Sequence, residues 1–288
     1  MGYHSHVPQA EELVMLPSGG TLRVEGPDTD PILFLHGAAG GAWSWSPQRA
    51  AFATKRRICT WEARGHGTAA RVEDAGLREL YVDARQGLAA VIDLVRRPAL
   101  VVGHSVGALL AMALACDVGA AVRALFLIDP LYVTVDGRGL VKDSIVPFAR
   151  AFAAPLLRSY RTNGFVSRRF TRWAFERMFV DRERMEAAWR YQCLQIPLEY
   201  PRLLREALGA RSGFPIRDYA AEIAEPTYIV EAVHGVRRPV DPKLVETLRR
   251  RLGPNFHHET VDGGHYLQLD RPDEVNEHLG RFLEAYGG

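Results

Sequence analysis

The chain has 288 residues, of which 47% are hydrophobic and 24% charged, and its formal net charge is +2. This length allows one large domain or a domain with an insertion, and the composition is ordinary for a globular protein. The small net charge indicates no particular polyanionic partner. No apolar run approaches the roughly 18 residues that span a membrane, and Met1–Leu16 lacks the basic-then-apolar pattern of a secretion signal.

The first half of the chain alternates predicted strands and helices, which is typical of a parallel sheet covered on both faces. Ile32–Leu35 is wholly apolar, as expected for a strand buried on both sides. In chain order, the predicted elements are a hairpin of Glu12–Leu16 and Thr21–Val24, a strand at Ile32–Leu35, a helix at Trp43–Ala53, a strand at Arg57–Trp61, a helix at Leu77–Val95, a strand and a helix on either side of Ser105, and a strand at Ala124–Ile128.

The strand pattern stops at about Leu131 and returns after Tyr219. Helices are predicted in between, at Val141–Tyr160, Val166–Phe179, Arg182–Leu194 and Pro197–Leu208. The last part contains predicted strands at Pro226–Val233 and His257–Val261 and helices at Pro242–Leu252 and Pro272–Tyr286. Because these last strands need a sheet to join, we expect a core domain formed by residues 1–131 and 220–288, with residues 132–219 inserted as a helical cap.

The most informative motif is Gly103-His104-Ser105-Val106-Gly107. It follows an apolar predicted strand and precedes an apolar predicted helix, so the serine lies at the top of a tight strand-to-helix turn. Glycine two residues to either side allows the neighbouring backbone to approach closely. This context favours a nucleophilic serine over a structural turn with a capping serine.

A serine needs a base within hydrogen-bond reach. Of the histidines, His265 is the best candidate because it follows the last predicted strand, and loops at the carboxyl ends of parallel strands converge on one crevice. His104 is expected to pack and His66 to structure its loop, while His234 lies near the crevice without an evident partner.

A carboxylate should orient the imidazole, and the sequence leaves three candidates. Asp129 directly follows the strand after the Ser105 helix, which gives the chain order serine, acid, histidine that is expected of this architecture. The alternative for Asp129 is that it only shapes the entry to the cap before Pro130. Glu231 is the second candidate and Asp241 the third, although Asp241 is better explained as a helix cap.

Two backbone N–H groups are expected to stabilise an oxyanion. One is that of Val106, directly after the serine. The other is that of Ala38, in the glycine-rich loop that begins with His36 and Gly37 after the strand Ile32–Leu35. We expect this loop and Trp43 to border the substrate site, although the loop alone could be a simple turn into a helix.

Together these residues resemble the α/β-hydrolase superfamily in its capped form. The resemblance rests on four motifs: Leu33-Phe34-Leu35-His36-Gly37, Arg64-Gly65-His66-Gly67, Gly103-His104-Ser105-Val106-Gly107, and Gly264-His265 followed by Leu269-Asp270-Arg271-Pro272. It implies a mostly parallel, doubly wound α/β sheet with an inserted cap, Ser105 as nucleophile and His265 as base. Relatives usually carry the acid after the strand that matches Pro226–Val233. Here Gly235 or Arg237 occupies that position, and a subset with its acid one strand earlier matches Asp129.

The expected function is a serine hydrolase of a carboxylic ester, lactone or thioester of a small hydrophobic molecule, with no metal and no cofactor. The alternatives are a cofactor-independent dioxygenase or a C–C bond hydrolase on the same fold, and a ligand-binding degenerate hydrolase.

The isolated residues Cys59, Cys116 and Cys193 fit reduced thiols and a cytoplasmic location. No nucleic-acid or membrane partner is expected, and monomer and homodimer stay open.

Overall fold

The computed structural model describes residues 11–38, 40–67, 69, 75–131, 133–135, 141–143, 172–173, 175–192, 214, 218–234, 240 and 242–287. Over these residues, eight strands form one sheet in the order β1-β2-β4-β3-β5-β6-β9-β10. The strands are β1 (Glu12–Met15), β2 (Thr21–Glu25), β3 (Pro31–Leu35), β4 (Arg57–Glu62), β5 (Ala99–His104), β6 (Val122–Ile128), β9 (Thr227–Ala232) and β10 (Phe256–Val261). Two further short strands, β7 (Val133–Val135) and β8 (Val141–Asp143), pair with each other.

The sheet is parallel from β4 through β10, and the hairpin β1–β2 joins it antiparallel along β4. Its central strands β3 and β5 are buried at every position. Alternate residues of each central strand face opposite layers, so that Leu33 and Val101 pack in one core while Phe34 and Val102 pack in the other. A strand covered on both faces needs a near-continuous apolar sequence, which these strands have.

Helices cover both faces of this sheet. The helices with both ends in the described residues include α1 (Ser46–Phe52), α2 (Leu77–Val95), α3 (Val106–Val118), α4 (Arg182–Gln192), α5 (Tyr219–Glu222), α6 (Pro242–Leu252), α7 (Leu267–Asp270) and α8 (Pro272–Tyr286). Helices α2, α3 and α6 contribute to one core, and α1 and α8 pack against the other. The predicted α/β class with a mostly parallel, doubly wound sheet is therefore confirmed.

The connection after β3 leads to α1 on one face, whereas the connection after the adjacent strand β5 leads to α3 on the other face. Neighbouring strands whose connections diverge in this way leave a crevice at their carboxyl ends. The loops that begin at His36 and Ser105 border this crevice. In the described part of the chain, no helix is both long and apolar enough to cross a membrane.

Two predicted helices are wrong in detail. The predicted helix Trp43–Ala53 is a 3-10 turn at Ala42–Trp45 followed by α1, and Pro47 lies in the first turn of α1, where its fixed φ favours a helix start. The predicted helix at Val141–Tyr160 begins instead with strand β8, which pairs with the β-branched run Val133-Thr134-Val135. Most of the predicted cap helices, including Pro197–Leu208, lie outside the described residues.

Candidate active site

Ser105 lies at the sharp turn between β5 and α3. Its φ of 54° is in the left-handed region, which is strained for a residue with a side chain. The turn is possible because Gly103 and Gly107 lack Cβ atoms. A Cβ on Gly103 would lie 2.6 Å from Ala108 Cα, and one on Gly107 would lie 2.1 Å from Leu35 O. The two glycines thus let α3 approach β5 and β3 closely enough to hold Ser105 in this conformation.

The Ser105 side chain meets His265. The distance between Ser105 Oγ and His265 Nε2 is 3.0 Å, and the other ring nitrogen, Nδ1, is hydrogen-bonded to Asp129 Oδ2. An ionised carboxylate can only accept, so Nδ1 carries the proton and donates it to Asp129. Nε2 is therefore free of hydrogen and accepts the hydroxyl proton of Ser105. The structure thus brings the three predicted residues into one hydrogen-bonded chain.

The side chains of Ser105, His265 and Asp129 are shielded from water. The exposed fractions are 8% for Ser105, 4% for His265 and 2% for Asp129. Asp129 has a φ of 39°, a region that aspartate tolerates better than most residues. Its N–H donates to Val230 O at 2.7 Å, which fixes the residue at the carboxyl end of the sheet. Low dielectric strengthens the hydrogen bonds of such a buried group.

The other two candidates for the acid are Glu231 and Asp241. Glu231 is buried, and within the described residues its carboxylate bonds to groups other than His265. Its Oε2 lies 2.9 Å from His258 Nε2, and its Oε1 accepts the N–H of Val240 at 2.5 Å. Asp241 lies outside the described residues.

The predicted oxyanion loop is held by His36. The Nε2 of His36 accepts the N–H of Ala63 at 3.0 Å, so Nδ1 carries the proton and donates to Gly37 O at 2.7 Å. Gly40 N–H also donates to Gly37 O, at 3.0 Å. In a planar trans peptide, a carbonyl and the following N–H point in opposite directions. The N–H of Ala38 is therefore directed away from His36.

This loop lies directly beside the serine. A Cβ on Gly37 would lie 3.1 Å from Ser105 Cβ, so the absence of a side chain lets the loop reach the turn. Val106 is the first residue of α3, where a helix leaves its N–H groups without intrahelical acceptors. Both predicted donors thus belong to segments that adjoin Ser105, and Ala38 is exposed.

The remaining histidines near the crevice mostly support the loops. His104 is buried, and its Nε2 lies 2.8 Å from the carbonyl oxygen of His265. His66 packs at 4.6 Å from the ring of His36, and burial lowers the pKa of both imidazoles, for His66 well below its usual value. His234 has a partner after all, because its Nε2 lies 2.8 Å from Asp262.

An aromatic cluster covers one side of the site. We define this cluster as the buried residues Trp43, Phe175, Met185, Ala188, Trp189 and Tyr266. It joins the segment after the oxyanion loop to α4 and to the residue that follows His265. Trp43, expected to border the substrate site, is 9% exposed, and the rings of Phe179 and Tyr266 are stacked at 5.4 Å.

Two residues of the site were not singled out from the sequence. Tyr266 packs between Trp43 and Phe179, and its hydroxyl lies 3.4 Å from Ala38 O. Asp270 is fully buried, and its carboxylate accepts main-chain N–H groups from Gly264 and from two residues before α4. The position of Asp270 in the motif after His265 is the only sequence signal for it.

Comparisons with known proteins agree with this fold. Residues 32–278 match the model of the alpha/beta hydrolase family. The chain is 34% identical over 261 residues to a putative carbamate hydrolase RutD of Azorhizobium caulinodans, covering 86% of this chain and 89% of that protein. It is 27% identical over 263 residues to a protein of the same name from Rhizobium rhizogenes, covering 90% of this chain and 94% of that protein.

Solved structures show the same fold at low identity. The enol-lactonase of Burkholderia xenovorans LB400 superposes with a TM-score of 0.71 at 18% identity, over 95% of this chain and 100% of that chain. A thermophilic esterase of Thermogutta terrifontis gives a TM-score of 0.72 at 18% identity, over 96% and 98% of the two chains. The chain therefore belongs to the alpha/beta hydrolase family, and it is a hydrolase.

Proposed function

We propose that this protein is a serine hydrolase that cleaves a carboxylic ester, lactone or thioester of a small hydrophobic molecule through an acyl-enzyme. The observation that carries the proposal is the hydrogen-bonded chain from Ser105 Oγ through His265 to Asp129. In this chain Ser105 is the nucleophile, His265 the general base and Asp129 the acid that orients the imidazole.

In the first half of the reaction, His265 Nε2 accepts the proton of Ser105 as Oγ attacks the substrate carbonyl. Asp129 keeps the Nδ1–H tautomer and stabilises the imidazolium that forms. The negative charge on the former carbonyl oxygen is stabilised by the N–H groups of Ala38 and Val106. When the tetrahedral intermediate collapses, His265 gives its proton to the leaving alcohol or thiol, and the acyl group stays on Ser105.

In the second half, a water molecule takes the place of the leaving group. His265 accepts a proton from this water, which attacks the acyl carbonyl and forms a second oxyanion at the same two N–H groups. Collapse of this intermediate releases the carboxylic acid and returns the proton from His265 to Ser105 Oγ. Over the whole cycle, one water molecule is consumed for each ester, lactone or thioester bond that is cleaved, and Ser105 and His265 return to their starting protonation states.

The preference for a hydrophobic substrate is supported by the aromatic cluster. Trp43 and Tyr266 lie beside the oxyanion loop and the base, and α4 closes the cluster from the other side. Apolar walls with a few polar groups are typical of small-molecule sites. Esterases and lactonases among the structural neighbours have the same fold.

A carbamate is the second candidate substrate. The observation that favours it is the 34% identity to a protein named putative carbamate hydrolase. A carbamate offers Ser105 the same kind of carbonyl carbon, so the proposed residues keep their roles. The product of the first half would then be a carbamoyl-serine.

We further propose that residues 132–219 form an inserted cap over a core of residues 1–131 and 220–288. Two observations support this division: strands β6 and β9 pair directly in the sheet although residues 129–226 separate them in the chain, and α4 packs beside Tyr266. A cytoplasmic location is a further proposal, which the free thiols of Cys59 and Cys116 support.

The proposed function is tested by labelling the purified protein with a fluorophosphonate, which reacts with activated serines, and by assaying p-nitrophenyl esters, lactones and aryl carbamates. We expect the wild type to be labelled and Ser105→Ala to lose both labelling and turnover. Ser18→Ala, in the turn between β1 and β2, is the control and should behave as the wild type. Labelling that persists in Ser105→Ala would contradict the assignment, and metal-independent oxygen uptake would favour the dioxygenase alternative.

A further inference from the structure

We propose that Asp270 is a positioning residue that couples the docking of the segment Met178–Asp181 to the placement of His265. We call Met178–Asp181 the docking segment; it directly precedes α4. The inference rests on the proposed function, because it takes His265 to be the base. It adds one requirement to that function: His265 keeps its position beside Ser105 only while the docking segment stays bound to Asp270.

The carboxylate of Asp270 joins two parts of the chain that are far apart in sequence. Its Oδ2 accepts the N–H of Gly264, the residue before His265, at 2.7 Å. Its Oδ1 accepts the N–H of Asp181 at 2.8 Å, and the N–H of Val180 lies 3.2 Å from Oδ1 and 3.1 Å from Oδ2. Oδ2 therefore joins the His265 loop to Val180, and Oδ1 adds bonds to Val180 and Asp181 of the docking segment.

The surroundings explain why this residue is a carboxylate. Asp270 is 0% exposed, and within the described residues no basic side chain forms an ion pair with it. A buried carboxylate without a cation depends on hydrogen bonds from N–H donors, which are stronger to a charged acceptor than to a neutral one. Loss of the docking segment would remove the donors of Val180 and Asp181 and leave the carboxylate with only Gly264.

The residue after His265 is tied to the same segment. The N–H of Tyr266 donates to Met178 O at 3.2 Å. On the other side of His265, a Cβ on Gly264 would lie 2.3 Å from Met178 O and 2.7 Å from Phe179 Cα. Both neighbours of His265 thus contact the docking segment through the main chain, so a displacement of that segment acts on the base from both sides.

The test compares Asp270→Asn with Asp83→Asn. Asparagine keeps the shape of Asp270 but turns one oxygen into an NH₂ group, which would face a main-chain donor. Asp83 is the control for the loss of a buried carboxylate, because it is also 0% exposed and accepts a main-chain N–H, that of Arg64. Unlike Asp270, it also forms an ion pair with the Arg64 guanidinium, so Asp83→Asn weakens that ion pair as well. Both variants are first compared with the wild type in thermal unfolding, and all rates are measured well below the unfolding transition.

The first measurement is the rate constant for fluorophosphonate labelling of Ser105, together with kcat and KM for a p-nitrophenyl ester. A misplacement of a catalytic group by about 1 Å can cost about 10²-fold in rate, so we expect a loss of that order in Asp270→Asn in the labelling rate and in kcat, with KM little changed. Asp83→Asn should keep the wild-type rates. Wild-type rates in Asp270→Asn, or an equal loss in Asp83→Asn, would overturn the inference.

The second measurement does not depend on the reaction. The proton shared by His265 Nδ1 and Asp129 should give a downfield NMR resonance in the wild type. We expect this resonance to shift or broaden in Asp270→Asn and to stay in place in Asp83→Asn. An unchanged resonance in Asp270→Asn would overturn the inference. Failure of the phosphonate to label the wild type would instead overturn the proposed function, so the two failures can be told apart.

If Asp270→Asn does not fold, a substitution of Val180, which donates to Asp270, tests the same contact. Val180 is exposed, and Val180→Pro removes one donor to Asp270 without changing a core side chain. We expect the same loss of labelling rate in Val180→Pro. If Asp270→Asn folds, the double variant should lose less than the product of the two single losses, because both changes disrupt one contact. Independent, multiplying effects would contradict the coupling.

Discussion

The carboxylate of Asp129 accepts the Nδ1–H of His265 although strand β9 lies between the strands that precede the two residues. Asp129 follows β6, and its main-chain N–H donates to Val230 O of β9 at 2.7 Å. The acid therefore lies over the end of β9 and reaches the imidazole from there. Glu231, the acid that β9 itself carries, bonds to His258 instead.

Because Asp129 bonds to His265 and Glu231 bonds to His258, substitutions of the two carboxylates should have different effects on activity. In Asp129→Asn, the amide NH₂ would donate to Nδ1 and favour the tautomer whose Nε2–H points at Ser105, so the base is lost. We expect kcat to fall by about 10⁴-fold at neutral pH. Steady-state kinetics with a p-nitrophenyl ester provide the measurement. Glu231→Gln is the control and should keep kcat, and a comparable loss in that variant would contradict the assignment of the acid.

The close approach of α3 to β3 gives a prediction on stability. In Gly107→Ala, the new Cβ would lie 2.1 Å from Leu35 O and 2.7 Å from His36 O, and main-chain atoms cannot move away cheaply. We expect the free energy of unfolding to fall by about 3 kcal/mol, together with loss of activity. Urea denaturation followed by circular dichroism measures the change.

The control for this substitution is Gly280→Ala. Gly280 lies inside α8, and the nearest atom to an added Cβ would be Phe52 Cε1 at 4.0 Å. Alanine in a helix interior is more favourable than glycine by up to about 1 kcal/mol. This variant should therefore be as stable as the wild type or more stable, and equal destabilisation by the two substitutions would show that contact with β3 is not the cause.

Much of the fold could be predicted because its signals are local. Apolar strands such as Ile32–Leu35 and amphipathic helices such as Leu77–Val95 depend on periodicity within one segment. The helices Leu77–Val95 and Pro272–Tyr286 have the predicted bounds. The turn at Ser105 was also local, since two glycines and the flanking strand and helix lie within a few residues of it.

The parts that could not be predicted depend on contacts between distant segments. The bonds of Asp270 to Val180 and Asp181 span about ninety residues, and no local pattern indicates them. The chain order favours Asp129 over Glu231 from the sequence alone, but the hydrogen bond that Asp129 makes to His265 across β9 depends on the order of the strands in the sheet. The short pairing of β7 and β8 was missed because three-residue strands carry little periodic signal.

The hydrogen bonds of His36 predict an effect on the oxyanion site. His36 holds Gly37 O, and so fixes the direction of the Ala38 N–H, which acts only when the oxyanion has formed. In His36→Ala we expect kcat to fall by about 10²-fold with little change in KM, as for loss of one oxyanion donor. Steady-state kinetics check this. His278→Asn, which changes a half-buried histidine on α8, should keep kcat, and a rise in KM alone for His36→Ala would contradict the proposed role.

The buried pair His36 and His66 predicts how stability depends on pH. Burial lowers the pKa of both rings, and proximity to His36 lowers that of His66 further. Below the ordinary value of 6.5, the unfolded chain binds more protons at these two positions than the folded protein does. The free energy of unfolding is therefore at its full value above that pH and decreases as the pH falls, because the unfolded state binds more protons.

We expect His66, whose pKa lies well below its usual value, to contribute a slope that approaches about 1.4 kcal/mol per pH unit below pH 6.5, and His36 to add to it. His66→Gln removes the contribution of His66, so the slope of this variant between about pH 6.5 and 5.5 should be smaller by about that amount, whatever its stability at neutral pH. Urea denaturation of the wild type and the variant at several pH values in this range gives both slopes. Equal slopes would mean that His66 is protonated in the folded protein, which its burial against His36 opposes.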